Sequence, residues 1–521
     1  MRRRTFIKAG PAIALLARPG LGRTDVPDHR WDGYDFGPGP RVANRLNQGP
    51  FSVEQDEGWF TIDSTTPSRE LVRNYGLGLV GYTWEESGPS LAARAGKETL
   101  EQHVDKLSSL PFVDVLYIRC DWRDVQSGPG RLDLNPIWKL TFDAARSRKL
   151  RVGFRVQLSS PNIQPKRLSM PDFVREKVPL VNIGRRSTER QTDFDFFEPR
   201  YDHPEFQRAF RELNELLAAE FDGNPLVEFM DLMMYGFWGE GHTNDLPNPF
   251  PDYLTAEKTF VQMTQLQLDA WKKVPLAVNT EPDISKVGNR EVHDMAVRAG
   301  SWLRSDSIIM DEPIQIEMLS NRPQWLAAVM EEGSNRHFNL DERNLRIDAA
   351  GVNSKEKSMD HVLDLGGNYF SLWTEADNLK AFHERYPAAF DNLRRRIGYR
   401  VRPSWIWQRK RYETSELVIA FVNDGVAGVA GVLGVTVESV DGKVKVGGNL
   451  DAGHPYAGRT RQASFILPKG MDGQKVVLKA ELETKGVRRP VVWACAQPLN
   501  PDGSLTIQLK PHGDRNWRKG V

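Results

Sequence analysis

The sequence predicts an α/β fold, a (β/α)8 TIM barrel followed by a C-terminal all-β sandwich domain. Two observations support this prediction. Eight short apolar runs alternate with amphipathic stretches of helical period across residues 70–398. Beyond residue 399, short segments of alternating polarity are separated by Asp-Gly pairs. With 521 residues, the chain is long enough for more than one folding unit.

The apolar runs are short and rich in β-branched and aromatic residues, which is typical of parallel strands buried on both faces. They lie at 77–84, 113–122, 150–159, 226–236, 275–281, 307–312, 325–332 and 368–375. Eight such units fit a closed barrel better than a doubly wound sheet, which usually has fewer strands. Between the runs, the stretch 204–221 carries apolar residues on one helical stripe: Phe206, Phe210, Leu213, Leu217 and Phe221.

In the C-terminal part, 399–521, the sequence pattern changes from continuous apolar runs to alternating polar and apolar residues. Strand-like segments lie at 417–423, 432–440, 463–467, 475–483, 491–496 and 505–509. The pairs Asp441-Gly442, Asp472-Gly473 and Asp502-Gly503 are hairpin signals. These features predict a β-sandwich, with packing against the barrel as its expected role.

The N-terminus predicts an export signal in residues 1–22. Paired arginines at Arg3 and Arg4 precede Phe6 and Lys8, and a short apolar run and a small-residue cleavage pattern at 20–22 follow. This order resembles a twin-arginine signal, so we expect a periplasmic or secreted protein. An accidental basic start is the alternative. The apolar run is far shorter than the ~20 residues that span a bilayer, so we expect no membrane anchor. Residues 23–69 would form an N-terminal extension.

Composition excludes several classes of function. Seventy basic and 69 acidic side chains leave a net charge of +1, which provides no overall field for binding nucleic acid. Two cysteines exclude a disulfide scaffold, and the ten histidines show no metal-binding spacing. The chain also lacks a Gly-x-Ser-x-Gly elbow and a phosphate-binding glycine loop. We therefore expect neither a metal ion nor a cofactor, and no pattern indicates an oligomeric state.

Acidic residues cluster where the predicted barrel strands end, which is where TIM barrels carry their reacting groups. They are Glu85, Glu86, Asp121, Glu240, Glu281, Asp311, Glu312, Glu331, Glu332 and Glu375. Aromatic residues lie among them: Tyr82, Trp84, Trp122, Tyr235, Trp238, Tyr369 and Trp373. Sugar rings stack on aromatic faces and paired carboxyl groups cleave glycosidic bonds, so this pattern favours carbohydrate chemistry. The alternative is that these acids cap helices or lie in solvated loops.

The exit of the fourth predicted strand is the most specific element. Gly239 and Gly241 flank Glu240, and Trp238 lies two residues before it. Glycines permit close backbone approach to a ligand, and an apolar wall raises the pKa of a carboxyl group, as a general acid requires. A purely structural turn is the alternative, although it would gain little from a central glutamate.

A resemblance to a known family rests on several short motifs. They are Tyr201-Asp202-His203-Pro204, the stretch 221–225, the strand with Asp231, the stretch 236–242 and Ile397-Gly398-Tyr399-Arg400. Together they resemble exported bacterial TIM-barrel proteins related to clan A glycoside hydrolases, near the β-galactosidase-like family 42.

The resemblance implies a glutamate acid/base after strand 4 and a glutamate nucleophile after strand 7. Those positions match Glu240 and one of Glu331 or Glu332. We take Glu332 first, but strand register decides which of the two side chains points to the barrel axis, and a slip of one residue would reverse the choice. Asp311 or Glu312 would take the role of nucleophile if strands 6 and 7 are misnumbered.

One position departs from the family pattern. The usual asparagine before the acid/base is replaced by Gly239. That asparagine normally binds the sugar 2-hydroxyl, so Asn279 or His242 would have to substitute for it.

The expected function is hydrolysis of O-glycosidic bonds in an oligo- or polysaccharide with retention of configuration. Retention requires two carboxyl groups about 5 to 5.5 Å apart, whereas about 6.5 to 9.5 Å would indicate inversion, and a separation above about 10 Å would exclude the two-carboxylate route. The expected substrate-binding residues are Trp84, Arg119, Asp121, Trp238, His242, Asn279, Trp373 and Glu375. Trp238 and Trp373 would stack on sugar rings, or serve as core aromatics. Arg119 and Asp121 would bind hydroxyls or pair with a catalytic carboxylate. The alternative function is a non-catalytic carbohydrate-binding or scaffold protein on a degenerate barrel, as Gly239 suggests.

Overall fold

A computed structural model describes residues 59–85, 88–89, 93, 95–185, 193–241, 246–280, 289–308, 313–332, 354–411 and 413–511. The predicted export signal and most of the predicted N-terminal extension lie outside the described residues.

Eight parallel strands form a closed barrel, which confirms the predicted fold class. A separate strand, β1 (Phe60–Ser64), precedes the barrel, and a two-stranded hairpin, β5 (Leu180–Gly184) and β6 (Phe196–Pro199), interrupts it after the third barrel strand. In order around the barrel, the strands are β2 (Gly78–Trp84), β3 (Val115–Asp121), β4 (Arg151–Gln157), β7 (Val227–Asp231), β8 (Leu276–Asn279), β9 (Trp302–Ile308), β10 (Ala328–Glu332) and β11 (Tyr369–Leu372).

The sixth barrel strand differs from its prediction. The apolar run at 307–312 indicated this strand, whereas β9 begins at Trp302 and ends at Ile308. The reason is that Arg304 and Ser305 are polar yet fully buried inside β9, so the strand does not read as an apolar run.

Helices follow the barrel strands and form the outer layer. They are α1 (Leu100–Ser108), α2 (Pro136–Arg148), α3 (Asp172–Arg175), α4 (Pro204–Phe221), α5 (Tyr253–Ala270), α6 (Asn289–Arg298), α7 (Pro313–Ser320), α8 (Ser354–Asp364), α9 (Ala376–Arg385) and α10 (Pro387–Arg396). In α4, the His203 side chain accepts the Glu205 backbone N–H, and the predicted apolar stripe is buried.

The lower half of the barrel interior is filled by aromatic rings. Phe229 of β7, Trp302 of β9 and Tyr369 of β11 have ring centroids 5.3 to 6.1 Å apart. Tyr75, which precedes β2, lies 5.7 Å from Trp302. This aromatic floor makes the lower half a packed core rather than a pore, so the polar interior residues lie above it, towards the carboxyl ends of the strands.

Two antiparallel sheets follow the barrel. The first has the order β1, β12 (Val401–Arg411), β13 (Thr414–Asn423) and β16 (Thr460–Leu467). In the second, β15 (Lys445–Asn449), β14 (Val432–Ser439) and β17 (Lys475–Thr484) are consecutive, and both β18 (Val487–Val491) and β19 (Leu505–Gln508) pair with β17.

Trp493 connects the two sheets. Its ring stacks on Phe421 of β13 at 5.6 Å, and its indole N–H donates to the Leu478 carbonyl of β17 at 2.9 Å. Strand β1 pairs with β12, so residues assigned by sequence to the N-terminal extension contribute a strand to the first sheet.

The β-rich part contacts the amino-terminal end of the barrel around Glu228. Glu228 occupies a bulge of β7, accepts the Gly76 N–H at 2.7 Å and the Tyr369 hydroxyl at 2.5 Å, and pairs with Arg151 at 2.5 Å. Burial raises the pKa of Glu228. Arg489 of β18 lies over the Tyr75 ring at 3.9 Å. This end of the barrel is therefore closed by paired groups that are buried or partly buried.

Across the part of the chain that the structure describes, no helix is long and apolar enough to cross a membrane. The same residues contain no group of three or more side chains suited to holding a metal ion.

Glu228→Gln should lower the free energy of unfolding by about 3 kcal/mol, because it leaves the partly buried Arg151 guanidinium without its counter-charge. The midpoint of urea denaturation measures this loss. Arg208→Ala, which breaks the exposed pair of Arg208 with Glu205, is the control and should change the midpoint little. Equal losses for the two variants would contradict the importance of the buried pair.

Candidate active site

Six charged side chains form a closed ring above the aromatic floor, with arginines and carboxylates in alternation. In order, they are Arg119, Glu240, Arg155, Asp231, Arg304 and Glu331. We call this set the charge ring. Each member is at most 3% exposed. Its formal charges sum to zero, as burial of so many ions requires.

One half of the charge ring surrounds Glu240. The Oε1 atom of Glu240 accepts from Arg119 Nη2 at 2.6 Å and from Arg155 Nη1 at 2.6 Å. The other terminal nitrogen of Arg155, Nη2, lies 2.9 Å from Asp231 Oδ2. A single carboxylate oxygen of Glu240 thus lies between two guanidinium groups.

The other half surrounds Glu331. Arg304 pairs with Asp231 Oδ2 through Nη1 at 3.0 Å and with Glu331 Oε2 through Nη2. Arg119 Nη1 donates to Glu331 Oε1 at 3.2 Å, which closes the ring. Arg119 therefore contacts both Glu240 and Glu331.

Strand register explains why the ring forms. Arg119 of β3 is the direct register partner of Arg155 of β4, and both side chains point into the barrel. Two neighbouring guanidinium groups repel each other unless carboxylates lie beside them. Asp231 at the end of β7 and Glu240 beyond it supply those carboxylates.

Two tyrosines support the charge ring from below. Tyr82 of β2 donates to Glu331 Oε1 at 2.5 Å, and Tyr117 of β3 donates to Asp231 Oδ2 at 2.5 Å. Burial raises the pKa of both phenols above their usual value, so they remain protonated donors.

The turn that presents Glu240 has an unusual backbone. Trp238 has a φ of 57°, and Gly236, Gly239 and Gly241 have φ values of 77°, 75° and 83°. Glycine adopts this left-handed region freely, whereas a tryptophan there stores strain. Strain of this kind concentrates at functional sites.

Two of the hydrogen bonds that hold the turn in place come from Arg155 and Asn279. Arg155 Nη1 donates to the Trp238 carbonyl at 2.9 Å, and the Asn279 amide donates to the Glu240 carbonyl at 3.1 Å. Asn279, predicted to bind substrate, therefore fixes the backbone of Glu240. A Cβ added to Gly239 would lie 3.6 Å from the nearest Arg155 carbon, an ordinary contact, so backbone conformation rather than space explains this glycine.

Strand β10 brings Glu331, and not Glu332, to the barrel axis. Successive side chains of a strand point to opposite faces. Glu331 lies in the charge ring, whereas Glu332 accepts a hydrogen bond from Ser358 of α8 at 3.3 Å and faces the helical layer. Of the two candidates, the structure therefore places Glu331 in the barrel interior and Glu332 outside it, contrary to the order predicted from the sequence.

The ionisation of Glu331 follows from its neighbours. Burial would raise the pKa of its carboxyl group, but Arg304 and Arg119 together lower it below the usual value. Glu331 is thus a carboxylate at neutral pH. The negative charge of Glu240 acts in the opposite sense and raises the pKa of Glu331.

The separation of Glu240 and Glu331 is bounded by the guanidinium that they share. Their oxygens lie 2.6 and 3.2 Å from the two terminal nitrogens of Arg119. Because guanidinium is a small rigid fork, these two oxygens lie no more than about 8 Å apart. This separation meets the limit of about 10 Å for catalysis by two carboxyl groups.

Two predicted aromatic residues lie at the carboxyl ends of neighbouring strands. Trp84 ends β2, Trp373 directly follows β11, and both are half-buried. Their indole N–H groups are buried without an acceptor in the described part of the chain. Trp238 is also half-buried and packs against Phe237 and its apolar neighbours, so part of its ring serves the core. Glu375 occupies the N-cap position of α9.

Asp121 ends β3 and is fully buried. Among the described residues, neither of its carboxyl oxygens receives a hydrogen bond of normal geometry. Burial, followed by repulsion from Asp124, raises the pKa of Asp121 to about 7. It lies on the same strand as Arg119 but outside the charge ring.

The remaining predicted acids, Glu86, Glu281, Asp311 and Glu312, and His242 lie outside the described residues. Sequence reasoning missed Arg155, Arg304 and Tyr117 as site residues, and it quoted Asp231 without a role. A usable signal was present, because a charged residue inside an apolar run, as in the stretch 151–157, must be paired when it is buried.

Comparisons with known proteins give structural matches alone. No family model matches the chain, and no curated protein matches it by sequence. An endo-glycoceramidase II from Rhodococcus sp. has 11% identity and a TM-score of 0.37, over 77% of this chain and 100% of that one. A β-galactosidase from Rahnella sp. has 10% identity and a TM-score of 0.39, over 66% and 59%.

A family 42 β-galactosidase from G. stearothermophilus matches with 10% identity and a TM-score of 0.38, over 62% of this chain and 59% of that one. These TM-scores are low, so the description of the site rests on the barrel topology and the contacts given above.

Asp121→Asn should stabilise the protein increasingly as pH rises from about 4 to about 7, and by a constant amount above that. The reason is that the unfolded carboxyl ionises near its usual pKa, whereas the folded one retains its proton up to about pH 7. Urea denaturation midpoints of both proteins across this range measure the difference. A difference that is independent of pH would contradict the raised pKa.

Proposed function

We propose that this protein is a glycoside hydrolase that cleaves O-glycosidic bonds of an oligo- or polysaccharide with retention of configuration. One observation carries the proposal. Glu240 and Glu331, at the carboxyl ends of the fourth and seventh barrel strands, contact the same guanidinium of Arg119. Two carboxyl groups in such proximity at this end of a TIM barrel are the requirement for glycosidic cleavage.

In the first step, the Glu331 carboxylate attacks the anomeric carbon while the Glu240 carboxyl group gives its proton to the departing glycosidic oxygen. The bond from that oxygen to the anomeric carbon breaks, and a glycosyl ester forms on Glu331. In the second step, the Glu240 carboxylate takes a proton from water, which attacks the anomeric carbon and releases Glu331. Retention by this route requires a carboxyl separation of about 5 to 5.5 Å, which sharing of one guanidinium allows.

The charge ring suits both steps. Arg304 and Arg119 lower the pKa of Glu331, so Glu331 is a carboxylate for the attack on the anomeric carbon. When the ester forms, the charge on Glu331 disappears. Arg119 and Arg155 then stabilise the Glu240 carboxylate that must act as base.

Substrate binding is assigned to the aromatic residues at the mouth of the barrel. Trp84 ends β2, and Trp373 directly follows the neighbouring strand β11. Their exposed ring surface can stack on a sugar ring. Trp238, two residues before Glu240, would provide a third aromatic surface for the sugar.

A second candidate function, a non-catalytic carbohydrate-binding or scaffold protein, is favoured by the complete burial of Glu240 and Glu331 among arginines. In that case the charge ring would serve only to join the strands.

Substitution of single carboxylates separates the two functions. On aryl glycosides and polysaccharides, Glu331→Gln should reduce kcat at least 1,000-fold, because it removes the nucleophile. Glu240→Gln should reduce kcat strongly for substrates with poor leaving groups and less for activated aryl glycosides, which need little acid assistance.

Glu332→Gln is the matched control and should retain activity, because its side chain faces α8. Unchanged turnover in Glu331→Gln would contradict the proposed mechanism. Sugar binding without hydrolysis by the unmodified protein would support the scaffold function instead.

We also propose export of the folded chain by the twin-arginine route. The sequence of residues 2–8 and the shortness of the apolar run that follows support this. Replacing Arg3 and Arg4 together with lysine should leave the protein in the cytoplasm, as cell fractionation would measure. Export of this variant at the normal level would contradict the assignment.

A further inference from the structure

The third carboxylate of the charge ring, Asp231, has no part in the two steps proposed above. Its Oδ2 atom accepts from Arg155 Nε at 3.1 Å and from the Tyr117 hydroxyl at 2.5 Å. The same oxygen lies 2.9 Å from Arg155 Nη2 and 3.0 Å from Arg304 Nη1. One oxygen of Asp231 thus contacts two arginines and a tyrosine.

Each of the two arginines also holds one of the proposed catalytic glutamates. Arg155 contacts Glu240, and Arg304 contacts Glu331. Asp231 is therefore connected to both glutamates, each time through one planar guanidinium. A rigid fork that is fixed at one end by a carboxylate fixes the direction of the nitrogens at its other end.

The second oxygen of Asp231 is buried and has no hydrogen-bond donor among the residues that the structure describes. An unsatisfied buried acceptor destabilises a fold. All the contacts of the Asp231 carboxylate given above are made by Oδ2, to the two arginines and Tyr117, while Oδ1 accepts no hydrogen bond from the described residues. Such an arrangement points to a role beyond local stability.

We propose that Asp231 is a positioning residue that sets the separation of Glu240 and Glu331 and offsets the positive charge that Arg155 and Arg304 direct at them. This inference rests on the proposed function. Asp231 does not touch the reacting atoms and acts only through the two arginines.

The charged and titratable groups around Asp231 determine the sign of its effect. It faces Tyr117 of β3, Arg155 of β4 and Arg304 of β9. Removing its negative charge makes the potential at both glutamates more positive and favours their ionised forms.

Glu331 faces a second set of groups, namely Tyr82 of β2, Arg119 of β3, Arg304 of β9 and Glu240. These groups remain when Asp231 is neutralised. The pKa of Glu331, already lowered by Arg304 and Arg119, should therefore fall further in Asp231→Asn.

The test compares Asp231→Asn with the unmodified protein. Both limbs of the bell-shaped pH profile of kcat/KM should move to lower pH by about one unit. At pH 7, kcat should fall about 10- to 100-fold, with a smaller change in KM, because displaced catalytic groups affect the transition state more than substrate binding.

Asp231→Glu restores the charge but lengthens the side chain. It should recover the pH profile while kcat remains reduced. If Asp231→Asn does not fold, this variant still tests the positioning role, since an unchanged kcat in Asp231→Glu would overturn it.

Glu228→Gln is the matched structural control. Glu228 lies on the same strand, is equally buried and contacts an arginine and a tyrosine, but at the opposite end of the barrel. Its substitution should reduce stability without moving the pH profile. An equal shift in both variants would show a general effect of instability and would overturn the proposal.

A measurement without substrate separates this inference from the proposed function. Infrared difference spectra recorded across pH report protonation of buried carboxyl groups, and Glu331→Gln assigns the Glu331 band. In Asp231→Asn this band should titrate at lower pH. An unchanged titration would overturn the electrostatic role of Asp231, whereas the expected shift in a protein without hydrolase activity would overturn the proposed function alone.

Discussion

The pairing of six buried charges inside the barrel is the constraint on which the rest of the structure depends. A guanidinium or carboxylate without a partner in this interior would destabilise the fold by several kcal/mol. The charge ring meets that constraint by closing on itself, so that each of its members contacts two others of opposite sign. Because the six residues come from β3, β4, β7, β9, β10 and the turn after β7, this pairing couples most of the barrel wall to the geometry of the site.

The surroundings of the ring explain why the charges lie near the carboxyl ends of the strands. The aromatic floor of Phe229, Trp302 and Tyr369 fills the interior below them. The β-rich part contacts the amino-terminal end around Glu228 and Tyr75. The space that remains for polar chemistry is the upper part of the barrel, where the left-handed Trp238 and three glycines turn the chain to present Glu240.

The fold could be predicted from the sequence to a large extent, because parallel barrel strands are apolar on both faces and therefore read as continuous runs. The exception is β9, in which Arg304 and Ser305 interrupt the run. The strand β1 was missed because it pairs with β12, more than 300 residues away. Within the site, the glycines around Glu240 marked its position. The choice between Glu331 and Glu332 depended on strand register, which composition does not encode. Arg155 and Asp231 could not be assigned to the site separately, because each is a buried charge whose partner, the other residue, is distant in sequence.

In the proposed mechanism, Glu331, held in the charge ring, forms a covalent bond to the sugar. The most direct measurement is to trap that ester with a 2-fluoro glycoside bearing a good leaving group, and to locate the added sugar by mass spectrometry of proteolytic peptides. The glycoside is first chosen by screening the unmodified protein for hydrolysis of the parent sugars. The expected result is a single added sugar on Glu331, and no added sugar in Glu331→Gln. A label on Glu332 or on any other residue, or hydrolysis without a trapped ester, would contradict it.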